Sequence, residues 1–312
     1  NGAANYFLMH REIPDLTETT SQAFLGTSIT CARCHNHPLE KWTQNQYYGF
    51  ANLFSRVRVK NGKMAGNDIV AASFGDVLHP LTGKAIPPQP LDGDVAADAP
   101  GTDRRQALAD WVTDPQNPYF TRAIVNRVWK NFMGRGLVEP VDDLRLTNPA
   151  TNEPLMAALC LDLVEHGYDL KALMGSILTS AAYQRSSESS DPAMPDYINY
   201  SQYIVRRLKA EVLLDAYSQV TEAPTPFTGY PPGYRALQLR DSLVASYFLD
   251  AFGRPERRQT CTCERTDDAS IAQTLHLANG DTLNKKLQAE SSILAKYEAD
   301  KVSDEVAVED IF

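Results

Sequence analysis

The sequence predicts a mainly α-helical fold: helical domains with a loop-rich insertion and one small β-hairpin. Three observations predict it. After Asp103 apolar residues recur at helical spacing over long stretches, helix-start residues such as Asn117 and Asp169 stand directly ahead of those stretches, and residues 60 to 101 break the pattern with glycines and prolines. With 312 residues, 43% of them hydrophobic, the chain can bury a substantial core as one large domain or two of ordinary size.

The elements follow in order. Residues 18 to 30, ETTSQAFLGTSIT, read as a short helix that delivers the chain to Cys31. From 60 to 101, short alternating pieces such as NDIVAASFGDVLHP and GKAIPP indicate loops with one hairpin, a connector that carries His79. In NPYFTRAIVNRVWKNFMGRG, Asn117 is an N-cap and Pro118 the first helical residue. Phe120, Ile124, Val128 and Phe132 follow at four-residue spacing, and Gly134 or Gly136 is the stop. Residues 155 to 164 make a second helix, on which Met156, Cys160, Leu163 and Val164 share a face, so Cys160 reads as a buried core thiol. His166 beside Gly167 reads as a favourable contact at a helix end. Asp169 caps a third helix with Leu170, Leu173, Met174 and Ile177 as its buried stripe.

SSESSDPAMPD, 186 to 196, is a polar linker. Beyond it, YSQYIVRRLKAEVLLDAYSQV places Ile204, Leu208, Val212 and Ala216 on one helical face. Further helices are expected over 237 to 252 and over 269 to 279, with Gly280 as a stop. The division expected is 1 to 101, a partial first domain with its connector, and 102 to 312, a helical second domain. The chain begins at Asn1 without the charged start and apolar core of a signal peptide, and ends inside the charged, helix-like LNKKLQAESSILAKYEADKVSDEV, so a piece of something longer is expected.

Composition narrows the function. A formal net charge of -9 opposes nonspecific nucleic-acid binding, which needs a cationic surface. No apolar run approaches the roughly 20 residues of a bilayer span, so no membrane span is expected in this chain. There is no G-x-G-x-x-G, Walker-type loop, nucleophile elbow or H-E-x-x-H. Asp142 and Asp143 are adjacent carboxylates, which usually face apart, and read as solvated or capping groups rather than an acid pair.

The chemistry-bearing residues cluster in CARCHNHP. Cys31, Cys34 and His35 make C-x-x-C-H, the attachment signature of c-type haem: two thiols three positions apart each form a thioether to the porphyrin, and the adjacent imidazole reaches the iron. The same spacing also serves zinc sites and thiol-disulfide centres. His37, two positions from His35, cannot readily reach the opposite face of the same haem and reads as a supporting group. His79, remote in sequence and followed by a proline, is the distal-ligand candidate. A second pair, Cys261 and Cys263 in FGRPERRQTCTCERTDD, stands among Arg254, Arg257, Arg258 and Arg265. In extended backbone i and i+2 point the same way, so C-x-C can chelate one ion, whereas a disulfide between them would be strained. The arginines favour thiolates or bind carboxylates, haem propionates included.

With FLGTSITCARCHNHPLEKWTQNQYYGFANLFSRV in view, the chain resembles the planctomycete cytochrome-c-like domain family. Through HPLTGKAIPP, RRQALADWVTDPQNPYFTRAIVNRVWKNFMGRGLVEPVDDL, LKALMGSILTSAAYQRSS, RRLKAEVLLDA and FGRPERRQTCTCER it looks like the companion planctomycete-specific domain of unknown function. The resemblance implies an exported protein, periplasmic or extracellular, of large extracytoplasmic systems concerned with redox or polysaccharide metabolism. It carries Cys31, Cys34 and His35 over as the cytochrome-like motif, with His37, His79, Cys261 and Cys263 as the family's other marked positions.

Three functions are therefore expected in competition. The first is an exported c-type haem protein held by Cys31, Cys34 and His35, with His79 as distal ligand, serving electron transfer with a redox partner protein or larger assembly. The second is a zinc, iron or disulfide staple joining Cys31 and Cys34 to Cys261 and Cys263, with His37 as a further ligand, in a scaffold protein. The third is a polysaccharide-related enzyme, for which the sequence assigns no catalytic residue.

Overall fold

A computed structural model describes residues 2–62, 66–99, 101–188, 198–256, 265 and 268–311. It is mainly helical, with one two-stranded antiparallel sheet among the described residues, as the sequence predicts. The chain forms two units, residues 1–205 and 206–312.

The first unit begins with α1 (Gly2–Met9) and α2 (Ile13–Leu25). Helix α2 does not run to residue 30. Gly26 turns left-handed at φ 63, its N–H closes on Gln22, and a Cβ there would stand 2.7 Å from Leu144 Cδ1, so the helix ends before the cysteines. Cys31 instead lies in a 3-10 turn, Thr30–Arg33. Helix α3 (Gln44–Ala51) starts with a capping box in which Thr43 Oγ1 accepts from Gln46 N and Gln46 Oε1 accepts from Thr43 N. Leu25, Ile29, Ala32, Trp42, Tyr47 and Phe50 form the core between these pieces.

The hairpin pairs β1 (Val57–Asn61) with β2 (Asn67–Ala71), Val57 opposite Ala71 and Asn61 opposite Asn67. The connector behind it is held by buried polar groups. Asn52, fully buried, donates to Val77 O and Ile86 O and accepts from Val77 N. Arg104, the first residue of α4 (Arg104–Val112), donates to Asp76, Asp98, Asn52 O and Ser55 Oγ. The loop-rich region thus follows a fixed course although little of it is regular.

Helices α5 (Phe120–Met133), α6 (Glu153–Glu165) and α7 (Leu170–Leu178) surround a second core. Helix α5 starts at Phe120 with Tyr119 at its N-cap position, not at Pro118 behind Asn117: Asn117 accepts from Tyr119 N and Phe120 N in an Asx turn ahead of the helix, and Gly134 ends it at φ 82. Its most buried stripe is Val125, Trp129 and Met133, while Ile124, Val128 and Phe132 pack half-buried beside it. Asp169 caps α7 through Lys171 N and Ala172 N, and Leu173 and Ile177 are buried, whereas Leu170 is exposed. Cys160 is half-buried at the margin of this core rather than within it. Burial raises its thiol pKa, opposed by the Thr121 hydroxyl and Arg122.

In the second unit α8 spans Ala210–Val220 only. The helical face expected over Ile204 to Ala216 is replaced by a buried set of Ala210, Glu211, Leu214 and Asp215, with Leu208 exposed ahead of the helix. Two of these are acids because both are used: Glu211 receives the Arg265 guanidinium, and Asp215 accepts from Ala236 N and Leu237 N. The helix expected over 237 to 252 is instead a 3-10 turn, Ala236–Gln238, and a short α9 (Tyr247–Ala251) capped by Ser246. Helix α10 (Ile271–Asn279) opens with a Ser270–Gln273 capping box. Gly280 then stands extended at φ -74 and starts α11 (Asp281–Leu287), followed by α12 (Ile293–Ala299) and α13 (Asp304–Ile311). No helix among the described residues is long and apolar enough to cross a membrane.

Candidate functional site

The 3-10 turn sorts its side chains by direction. Ala32 is fully buried, while Cys31, Arg33, Cys34 and His35 are exposed. Cys34 N and His35 N both donate to Cys31 O, at 3.3 and 3.4 Å, so the two cysteines and the histidine wrap around one carbonyl. Cys31 and Cys34 pair with no cysteine among the described residues.

The turn is held from α3 and α2. Gln44 Nε2 donates to Arg33 O at 3.0 Å and the Tyr48 hydroxyl to the same oxygen at 3.2 Å. Gln44 N donates to Asn36 Oδ1 at 2.9 Å, fixing the segment beyond the cysteines. On the other side Glu18 accepts from Thr30 Oγ1 and from the Tyr47 hydroxyl and lies 3.8 Å from Arg33. Burial pushes the Tyr47 phenol up, and the Glu18 charge adds to it. Burial also raises Tyr48, the Arg33 guanidinium opposing and Cys34 adding. Sequence reasoning missed this support. The T-x-x-Q of Thr43 to Gln46 is the signal that would have found α3 and, with it, Gln44, Tyr47 and Tyr48.

The histidines differ in their ring partners. His35 Nδ1 donates to Asn36 O at 2.7 Å, and no partner engages Nε2 among the described residues. His37 is half-buried. Its backbone N–H donates to Trp42 O, and its ring Nδ1 accepts from Leu39 N at 3.2 Å. His79 is buried, with its ring centroid 5.3 Å from that of Tyr48 and its Nδ1 accepting from Leu81 N at 3.2 Å. Tyr48 therefore touches both the cysteine turn and His79. Among the described residues, no three histidine, cysteine or acidic side chains converge in a metal-holding arrangement.

The remaining candidates are accounted for separately. Cys261, Cys263, Arg257 and Arg258 lie outside the described residues. Arg254 pairs with Asp250 at 2.6 Å and Arg265 with Glu211 at 3.0 Å, so both described arginines of that segment already hold carboxylates. Asp142 is not solvated: its side chain is nearly buried and receives Arg127 Nε at 2.7 Å, while Asp143 pairs with Arg145 at 2.5 Å. His166 closes the end of α6 through Nδ1 donating to Asp162 O at 2.8 Å, and that carbonyl, with the Asp162 charge, holds the imidazole above its ordinary pKa.

Two family models match the chain. Residues 2–59, which contain the cysteine turn, match PSCyt2, a protein of unknown function (DUF1549). No curated protein and no solved structure matches. Residues 104–311, more than half of the chain, match PSD1, a protein of unknown function (DUF1553), and the chain belongs to that family.

Proposed function

We propose that the chain is a c-type haem-binding redox protein of the planctomycete cytochrome-c-like kind, in which Cys31 and Cys34 form the two thioethers and His35 is the proximal iron ligand. One observation carries this reading: two exposed thiols share a single pinned turn with an exposed imidazole whose Nδ1 is already committed to Asn36 O. A backbone-bonded Nδ1 fixes the tautomer and aims Nε2 outward as the ligating atom. Gln44 and Tyr48 hold the Arg33 carbonyl, which fixes the backbone between the two cysteines.

When bound, haem supplies one-electron transfer, at a potential set by its axial ligands and by burial. His79 is the distal candidate in this reading. Its Nδ1 accepts from Leu81 N, which leaves Nε2 as the nitrogen that would have to give up its proton to hold the iron. Export to the periplasm or extracellular space, and a redox partner protein or larger assembly, belong to the same proposal.

The test is the visible spectrum of protein purified from a host that matures c-type cytochromes, followed by acid-acetone extraction. Soret and α bands that stay with the chain, and vanish in the Cys31→Ser, Cys34→Ser variant, are expected. Colourless wild-type protein overturns the reading. Bound zinc or iron lost on replacing either cysteine pair would favour the thiolate staple with Cys261 and Cys263.

A further inference from the structure

A cavity of about 550 Å³ opens between α1, the start of α2, α3 and β1, all in the first unit. That volume falls in the range of roughly 300–1,000 Å³ typical of small-molecule sites. Its walls are largely apolar, with Phe7, Leu16, Tyr47, Ala51, Val57 and Val77 among them. Cys31, Cys34 and His35 do not line it, so nothing said of it depends on haem.

The charged lining is unbalanced. The lining carries Arg11, Arg33 and Arg58 but one carboxylate, Glu12, together with His10, which lies 3.7 Å from Asp15. Arg33 is held at 3.8 Å by Glu18, but Arg11 and Arg58 have no carboxylate within ion-pair distance among the described residues. Arg58 is nonetheless fixed: its guanidinium donates to Ser55 O at 2.7 Å, to Val57 O at 2.8 Å and to Phe74 O at 3.4 Å. Gly75, at φ +110, makes the room, because a Cβ there would fall 2.0 Å from Arg58 Nη2. Arg58, a lining residue whose guanidinium is oriented by three carbonyls and has no carboxylate within ion-pair distance among the described residues, is a cation available to an anion entering the cavity.

The geometry points to a binding site for a small organic anion with a flat apolar body, its carboxylate or sulfonate set against Arg58 and Arg11 and its body against Tyr47 and Val57. The site also adjoins the cysteine turn, since Arg33 and Tyr48 both line it and the Tyr48 hydroxyl holds the Arg33 carbonyl. A ligand there would press on the turn.

Two dyes of similar ring system separate charge from apolar area: 8-anilinonaphthalene-1-sulfonate, which is anionic, and N-phenyl-1-naphthylamine, which is neutral. Each is titrated by fluorescence into the full chain. Saturable one-to-one binding of the anionic dye is expected, weakened about tenfold or more by Arg11→Gln with Arg58→Gln, as loss of charge-assisted bonds requires. The neutral dye should bind both proteins within twofold. Val59→Trp, which adds bulk at an exposed residue of β1 that lines the cavity, should weaken both dyes. Circular dichroism checks each variant, and Arg11→Gln alone, at an exposed residue with one backbone bond, serves if Arg58→Gln does not fold. The proposal is overturned by absence of saturable binding, by arginine variants that hold the anionic dye as tightly as wild type or lose both dyes equally, or by indifference to Val59→Trp.

Discussion

The imidazole of His79 packs against the ring of Tyr48 with centroids 5.3 Å apart, and the hydroxyl of that same tyrosine donates to the carbonyl of Arg33, between the two cysteines of the turn. One side chain thus couples the buried end of the connector to the exposed thiols. Tyr48→Phe keeps the ring contact and removes the bond, so it should cost about 1 kcal/mol and speed the reaction of Cys34 with Ellman's reagent. Tyr48→Ala should cost a further ~2 kcal/mol through lost packing. The tryptophans, Trp42, Trp111 and Trp129, all lie in the first unit, so urea unfolding followed by tryptophan fluorescence reads it directly. Equal thiol reactivity in wild type and Tyr48→Phe would show that the hydroxyl does not restrain the turn.

Arg104 carries the connector. Its side chain is 3% exposed and joins Asp76, Asp98, Ser55 and the carbonyl of Asn52. Arg104→Met takes one of two arginines from Asp76 and Asp98, which keep Arg56, and leaves Asn52 O to Ser55 Oγ alone, a loss of about 3 kcal/mol by the same tryptophan signal. Desolvation pushes Asp76 up, but Arg56 and Arg104 outweigh it and hold it below the ordinary carboxylate value. Asp98 is lowered chiefly by its bond to Arg104. Because the folded values lie below the unfolded ones, the stabilisation is complete above about pH 4 and drains as the pH falls through the folded values. Asp76→Asn with Asp98→Asn should flatten that acid limb. An unchanged slope between pH 5 and 2 would place the acid sensitivity elsewhere.

What the sequence made legible was local. Gly134 and Asp169 end and start their helices where the sequence puts them, while Asn117 makes a turn ahead of α5 instead of capping it. The buried faces were less legible. Glu211 and Asp215 break an apolar pattern and are buried all the same, because Arg265 and the amides of Ala236 and Leu237 come from residues more than twenty positions away. The cysteine turn shows both cases. Its motif is plain in five letters, but its support comes through Glu18, Gln44 and Tyr48, polar residues with no periodicity to mark them. Gly26 ended α2 early for a similar reason: its left-handed turn brings it against Leu144, a contact that no local pattern announces.

Arg127 joins two helices at a point where the sequence offered only adjacent acids. Its Nε donates to Asp142 at 2.7 Å, and its terminal nitrogens donate to the carbonyls of Gln22 and Ala23 in the last turn of α2. The cation thus caps one helix from another, with the nearly buried Asp142 as its counter-charge. Arg127→Met should cost about 3 kcal/mol, since it takes a guanidinium from a nearly buried carboxylate and from two carbonyls of α2. Asp142→Asn, which keeps shape and one acceptor, should cost about 1.5 kcal/mol. A double-mutant cycle on the tryptophan-reported transition measures their coupling. Strict additivity would mean that Arg127 acts through the α2 carbonyls alone.

Lys286 sits 7% exposed in the second unit, its ammonium donating to Ser218 Oγ at 2.9 Å and to the carbonyl of Ala223 at 2.6 Å. Burial pulls its pKa down to about 8, with Asp215 opposing. The unfolded chain, where lysine titrates near 10.4, therefore holds the proton that the folded chain gives up across the interval between. Stability must rise with pH through that window, because there the unfolded state binds more protons. Below about pH 8 both states are charged and the cost of burying the ammonium is carried in full. Lys286→Met removes the titrating group while filling most of the same space, so it should abolish the rise. Urea midpoints by far-UV circular dichroism at pH 7.5 and 9.5, taken on both proteins, give the difference in slope. Parallel slopes would mean that the buried ammonium keeps its proton through the bonds to Ser218 and Ala223, which would then have to offset the desolvation by themselves.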